Sequence, residues 1–137
     1  MITPPSISAI ATWHAALAAG DPDGIAAVTH PNVELVGPRA SGFGVSLVQE
    51  WALRSGIRLE PLRWFAHPDR VVVEQRARWL DPETGTLGDP VLFATAFAFT
   101  DGLIGRIARY PDLPTALAAS NLSLVDEHSV ERSWVLS

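Results

Sequence analysis

The chain has 137 residues, with 15 acidic side chains against ten Lys plus Arg and a formal charge of −5. That balance is the reverse of what a protein held to phosphates needs, so no nucleic acid partner is expected. Cysteine is absent, which excludes disulfides, thiolate metal sites and cysteine nucleophiles. The length suits one domain able to bury its own core. The amino end has no signal-like segment and no apolar run is long enough to cross a bilayer, so a cytoplasmic protein with no membrane partner is expected.

Ser6 to Ala19 reads as a helix. Ser6 or Ser8 can cap it, Ile7, Ile10, Trp13 (or His14) and Leu17 recur at three and four, and Gly20 ends it. Asp21-Pro22 opens a short second helix through Val28, with the aspartate as cap and the proline in the first turn, and Pro31 stops it. Val33 to Val36 is a short strand, followed by a loop from Gly37 to Gly44 in which three glycines and a proline argue against regular structure. Val45 to Arg54 is the third helix, with Val48, Trp51 and Ala52 inward and Gly56 at its end.

A strand from Ile57 to Phe65 and a loop at His67-Pro68-Asp69 lead into Val71 to Leu80. Alternation there places Val71, Val73, Gln75, Ala77 and Trp79 on one face and Glu74, Arg76 and Arg78 on the other. After the turn-like stretch Asp81 to Gly85 comes Val91 to Thr100, with Val91, Phe93, Thr95, Phe97 and Phe99 sharing a face; the two runs form a long antiparallel hairpin. Asp101-Gly102 signals a tight primed turn into a last strand, Ile104 to Tyr110. That strand alternates Ile104, Arg106, Ala108 and Tyr110 against Gly105, Ile107 and Arg109. Asp112-Leu113-Pro114 starts a short helix ending at Ala119. Residues 1–119 thus read as the domain and 120–137 as a tail, docked or flexible, with Leu122, Leu124, Trp134 and Val135 as its apolar points.

Two helices, a strand, a helix and four strands in meander make an α+β arrangement of helices on one face of a curved antiparallel sheet. At this point the chain resembles the nuclear-transport-factor-2-like superfamily, in its SnoaL-like and ketosteroid-isomerase-like branches. The residues that carry the likeness are Trp13 to Ile25, Pro31 to Glu34, Asp101 to Ile104 and Arg109 to Leu113. The resemblance implies a cone-shaped sheet, a cystatin-like roll with helices packed on its concave face, open at one end to a small apolar molecule. The positions it implies for the cavity are Trp13, Leu17, Leu35, Val48, Trp51, Gln75, Ala77, Trp79, Thr95, Phe97, Ile107 and Arg109, mostly apolar or aromatic as a small-molecule pocket requires.

The catalytic sets of that superfamily are not retained. Matched by motif, the steroid isomerase tyrosine, base and acid fall at Trp13, Leu35 and near Thr95, and none of these can transfer the proton. The epoxide hydrolase set falls at Gln75, Ala77 and Arg109 and has lost its acids. What remains polar inside is Gln75, Thr95, Asp112 at the mouth and Arg109, a permanent cation suited to a carboxylate, enolate or phenolate unless it pairs at the rim or turns to solvent. His14 either faces the cavity as a base or, as is commoner for such a residue, lies on the solvent side. Asp112 resembles a SnoaL-like aspartate after the last strand, yet two residues before Pro114 it suits a helix cap better. Those three are the candidate catalytic residues.

No two histidines have ligand spacing, and the dinucleotide, phosphate-loop and nucleophile-elbow motifs are missing, so neither metal nor cofactor is expected. Glu74, Arg76 and Arg78, with Arg58 and Glu60, form either a solvated face or cross-strand or intersubunit ion pairs; a homodimer through that face is expected. The function that follows is binding of a small apolar or aromatic ligand, neutral or anionic. The alternative is a polyketide cyclase or isomerase working by proton transfer with oxyanion stabilisation.

Overall fold

A computed structural model describes residues 3–38 and 41–129. Helices α1 (Pro5–Ala19) and α2 (Pro22–Ala27) precede strands β1 (Thr29–Val36) and β2 (Ser41–Phe43). Helix α3 (Val45–Arg54) follows, then β3 (Ile57–His67), β4 (Arg70–Trp79), β5 (Val91–Thr100), β6 (Leu103–Tyr110), helix α4 (Leu113–Ala119), a 3-10 turn (Leu124–Asp126) and β7 (Glu127–His128). The strands form one curved sheet in the order β2-β1-β6-β5-β4-β3-β7. The α+β class is as expected, but the sheet is mixed: β1 runs parallel to β6, and the connection between them is the long crossover through β2, α3 and the meander β3–β5.

Pro5 starts α1 at a position where its missing N–H is harmless, and among the described residues no side chain caps the helix and the buried Ser6 hydroxyl has no hydrogen-bond partner. Gly20, left-handed at φ 63°, ends it, with the N–H of Gly20 donating to Leu17 O and that of Asp21 to Ala16 O. Asp21 caps α2 through a bond from Gly24 N–H. The first strand begins at Thr29, four residues before the expected start. Its register against β6 slips between Thr29 and Glu34, which lets Pro31 lie in a strand without owing a ladder donor. Part of the expected glycine loop is a strand, β2, paired antiparallel to β1. A Cβ at Gly42 would meet the end of the Leu47 side chain, which would have to turn aside.

Two irregularities decide which side chains face inward. Between Pro61 and Arg63 the β3–β4 register shifts, so Ile57 and Leu59 and then Trp64 and Ala66 all belong to the same core, while Phe65 points the other way. On β6 the extra residue Gly105 bulges at a point where a Cβ would meet Thr100 Oγ1. Ile104 therefore joins Ile107 inside, a correction to the simple alternation that grouped Ile104 with Arg106. Asp101 and Gly102, at φ 53° and 78°, make the expected primed turn.

The main core lies between one face of the sheet and the first three helices: α1 crosses β3 and β4, and α3 crosses β1. Ile7, Ile10, Trp13, Val48, Val71, Val73 and Phe97 are its buried centre. Not every helix is on that side. Helix α4 covers the opposite face, where Leu113, Ala116, Leu117 and Leu122 meet Phe65, Val72, Ala94 and Ala96. Burial from both sides explains why β5 is apolar along most of its length and does not strictly alternate. Farther along that face, Arg76 and Glu60, register partners across β3 and β4, form an ion pair of 2.7 Å. Both are well exposed, and pairs of that kind add little stability. The turn after α4 brings β7 onto the edge of β3, where Glu127 receives two bonds of 2.8 Å from Arg63. The suggested docking of Trp134 and Val135 lies outside the described residues. No helix among the described residues is long and apolar enough to cross a membrane.

Candidate functional site

Where the sheet curls away from the packed centre, it leaves a cavity of about 580 Å³, within the size range of small-molecule sites. Trp13 of α1 and Trp51 of α3 form its roof, stacked with ring centroids 6.3 Å apart and planes 17° from parallel. The floor is Leu59, Trp79, Phe93 and Ile107, one from each of four successive strands, and Leu35, Val36, Gly37 and Pro38 close the side. Among the described residues the wall's polar side chains are Thr95 and Arg109, directly opposite each other on β5 and β6; paired positions of that kind hold their Cβ atoms about 5 Å apart. The Arg109 guanidinium lies over the Phe93 ring, 4.7 Å from its centroid. The aromatic face holds the guanidinium plane in the wall of the cavity.

Behind the wall runs a buried hydrogen-bonded chain. Thr95 Oγ1 donates to Gln75 Oε1 at 2.6 Å, Gln75 Nε2 meets His14 Nε2 at 2.8 Å, and His14 Nδ1 meets Ile10 O at 2.8 Å. His14 is packed among Trp13, Trp64 and Phe97. Removal from water pushes its pKa down from 6.5 to about 4, against the opposing bond to Ile10 O. It is therefore a neutral imidazole at pH 7. Gln75, 0% exposed, has both ends of its amide satisfied by this chain, which accounts for a polar residue at the centre of an apolar strand face.

Of the residues singled out in the sequence, Trp13, Leu35, Trp51, Trp79, Thr95, Ile107 and Arg109 line the cavity. Leu17, Val48, Ala77 and Phe97 are core instead, one layer deeper where the cone narrows and is filled. Gln75 also lies behind the wall. His14 is neither at the cavity nor on the solvent side. It is 2% exposed and turned into the core, with Gln75 between it and Thr95. Asp112 is away from the cavity and caps α4, accepting from Thr115 N–H at 2.9 Å; bonds from the Thr115 side chain and backbone hold its carboxyl below the usual range. Asp112→Ala should lower the melting temperature by a few degrees and leave ligand affinity unchanged. A loss of affinity in calorimetry would return Asp112 to the site.

Sequence reading missed Val36, Gly37, Pro38, Leu59 and Phe93. Phe93 shares the inward face of Thr95 and was visible by parity, whereas Leu59 needs the β3 bulge to be known. None of the described residues lining the cavity is Asp, Glu or His, so the wall offers a cation and a hydroxyl but no ordinary acid–base group. Among the described residues no group of three or more His, Cys, Asp or Glu stands together to hold a metal.

The family of SnoaL-like domains matches residues 10–109. No curated protein matches the chain. Among solved structures, an NTF2-like protein of unknown function from Cytophaga hutchinsonii is 13% identical and superimposes with a TM-score of 0.70 over 85% of this chain and 97% of its own. A Delta 5-3-ketosteroid isomerase from Mycobacterium sp. is 14% identical, with a TM-score of 0.66 over 79% and 93%. TerC, co-crystallised with polyporic acid, is 26% identical, with a TM-score of 0.66 over 86% and 97%. The aromatic-roofed cone and the match from Ile10 to Arg109 place this chain in the SnoaL-like domain family, on the NTF2-like, ketosteroid isomerase-like fold.

Proposed function

We propose that the protein binds a flat, mostly apolar, anionic small molecule in the cone, with Arg109 meeting the charge. The observation that carries this is the Arg109 guanidinium, held over Phe93 in the wall of a cavity whose other described lining residues, Thr95 apart, are aromatic or aliphatic. A cation in such surroundings favours a delocalised carboxylate, phenolate or enolate, whose rings the two stacked indoles can cover. The co-crystallisation of TerC with an organic acid supports the same chemistry. Binding is preferred over catalysis because the one histidine near the wall has its Nε2 bonded to Gln75 and does not reach the cavity. In the cyclase or isomerase alternative, Arg109 would stabilise a developing oxyanion and the proton would have to move on the substrate itself or through water. A second copy would meet the outer sheet face beyond α4, around Arg76 and Glu60, and make a homodimer.

Isothermal calorimetry with 2-naphthoate and its neutral counterpart 2-naphthamide tests the reading. The acid should bind and the amide should be weaker by about tenfold or more, the usual worth of a hydrogen bond to a charged group. Arg109→Met should abolish that difference while leaving the melting temperature within a few degrees. Equal binding of acid and amide by the unaltered protein would rule out Arg109 as the anion's partner.

A further inference from the structure

We infer that Thr95 is held as a hydrogen-bond acceptor toward the cavity, so that the preferred ligand carries a hydroxyl or N–H donor a few ångströms from its anionic oxygen. The inference rests on the anion-binding reading of Arg109 and narrows it to a ligand class: hydroxylated aromatic carboxylates, or enolic acids that keep one O–H.

The polarity is set by valence, one atom after the next. Ile10 O is a carbonyl and can only accept, so at 2.8 Å the proton is on His14 Nδ1. A neutral imidazole with Nδ1–H has a bare Nε2, which needs a donor, and the amide nitrogen of Gln75 supplies it at 2.8 Å. That orientation turns Gln75 Oε1 toward Thr95. The carbonyl oxygen cannot donate, so the Thr95 hydroxyl proton is committed to it at 2.6 Å. All the bonds thus run one way, from the cavity wall to the carbonyl of Ile10, and each polarises the next. The hydroxyl oxygen keeps its lone pairs and has no proton left to give. Thr95 faces Arg109 across the β5–β6 ladder, and guanidinium only donates. The two side chains therefore differ in what they can recognise: Arg109 only donates, and Thr95, its proton committed, only accepts. Without the buried chain a threonine would satisfy either kind of group and discriminate neither.

The test compares 4-hydroxy-2-naphthoate with 4-methoxy-2-naphthoate by calorimetry at pH 7, alongside long-range 1H–15N spectra of His14. The hydroxy acid should bind about tenfold tighter, and His14 should show a protonated Nδ1 and a bare Nε2. Thr95→Val should bring the two affinities together, whereas Arg109→Met should weaken both and keep their ratio. If the methoxy acid binds as well as the hydroxy acid to the unaltered protein, the inference is wrong while the anion site stands. If neither acid binds, the anion site is wrong and the inference falls with it. A protonated Nε2 on His14 would reverse the chain and overturn the inference whatever the affinities, and neither the ligand comparison nor the spectra depend on a variant that must fold.

Discussion

Between pH 6.5 and 4 the protein should lose about 3 kcal/mol of stability, and His14→Leu should flatten that slope. In the unfolded chain the imidazole binds its proton near pH 6.5; in the folded protein, burial delays this until about pH 4. Across that window the unfolded state holds more protons than the native one. Stability therefore rises with pH: the contribution is complete above 6.5, falls as the medium is acidified and is gone below 4. The carboxyls whose ordinary values are lowered further, those of Asp69, Asp112, Asp126 and Glu127, act at lower pH and do not fill this window.

The single variant has a cost of its own. Leucine leaves the Gln75 N–H without an acceptor in a site from which water is excluded, worth about 1–3 kcal/mol at neutral pH. His14→Leu with Gln75→Leu removes both partners, lets the Thr95 hydroxyl turn to water in the cavity, and should recover most of that loss without restoring the slope. Denaturant midpoints measured from pH 4 to 7 decide the matter. A wild-type curve that is flat over this range would mean that the imidazole is protonated in the folded protein.

Trp13→Ala should be the most damaging single truncation, at about 3–5 kcal/mol, which lowers the melting temperature by on the order of 10 °C. The ring is 1% exposed and is shared by two structures. It stacks on Trp51 in the cavity roof and meets Phe97 edge-on at 5.3 Å in the core. Its removal joins the cavity to the packed layer below, and the side chains around it, held by the sheet and two helices, can collapse only partly. Trp13→Phe should cost far less than its volume implies, about 1 kcal/mol. The Trp13 Nε1–H is buried and makes no hydrogen bond among the described residues, so the smaller ring sheds an unpaired donor along with its contacts. Thermal melts of the two variants should therefore separate widely; equal losses would mean that the indole N–H is satisfied in solution.

Much of this could be read before any coordinates. Where a local rule has one physical cause, it held: the left-handed turn at Asp101-Gly102, the Asp21 cap, the helix end at Gly20, and the face shared by Val71, Val73, Gln75 and Ala77. Where two effects competed, the local signal misled. Pro31 looked like a barrier and lies within a strand, because a register slip relieves it of its missing donor. Ile104 looked outward by parity and points inward, because Gly105 bulges against Thr100.

By itself the sequence determined the order and periods of the elements, the resemblance to a cone-shaped fold and the mostly apolar character of its inner face, since each depends on residues a few positions apart. Tertiary structure decided the rest. An inward-facing residue belongs to a cavity wall or to a filled core according to how far down the narrowing cone it lies; this separates Thr95 and Trp79 from Phe97 and Leu17. His14 meets Gln75 across 61 positions of sequence. No local pattern encodes such a meeting, because it exists only once a helix is laid across a sheet and the water between them is gone.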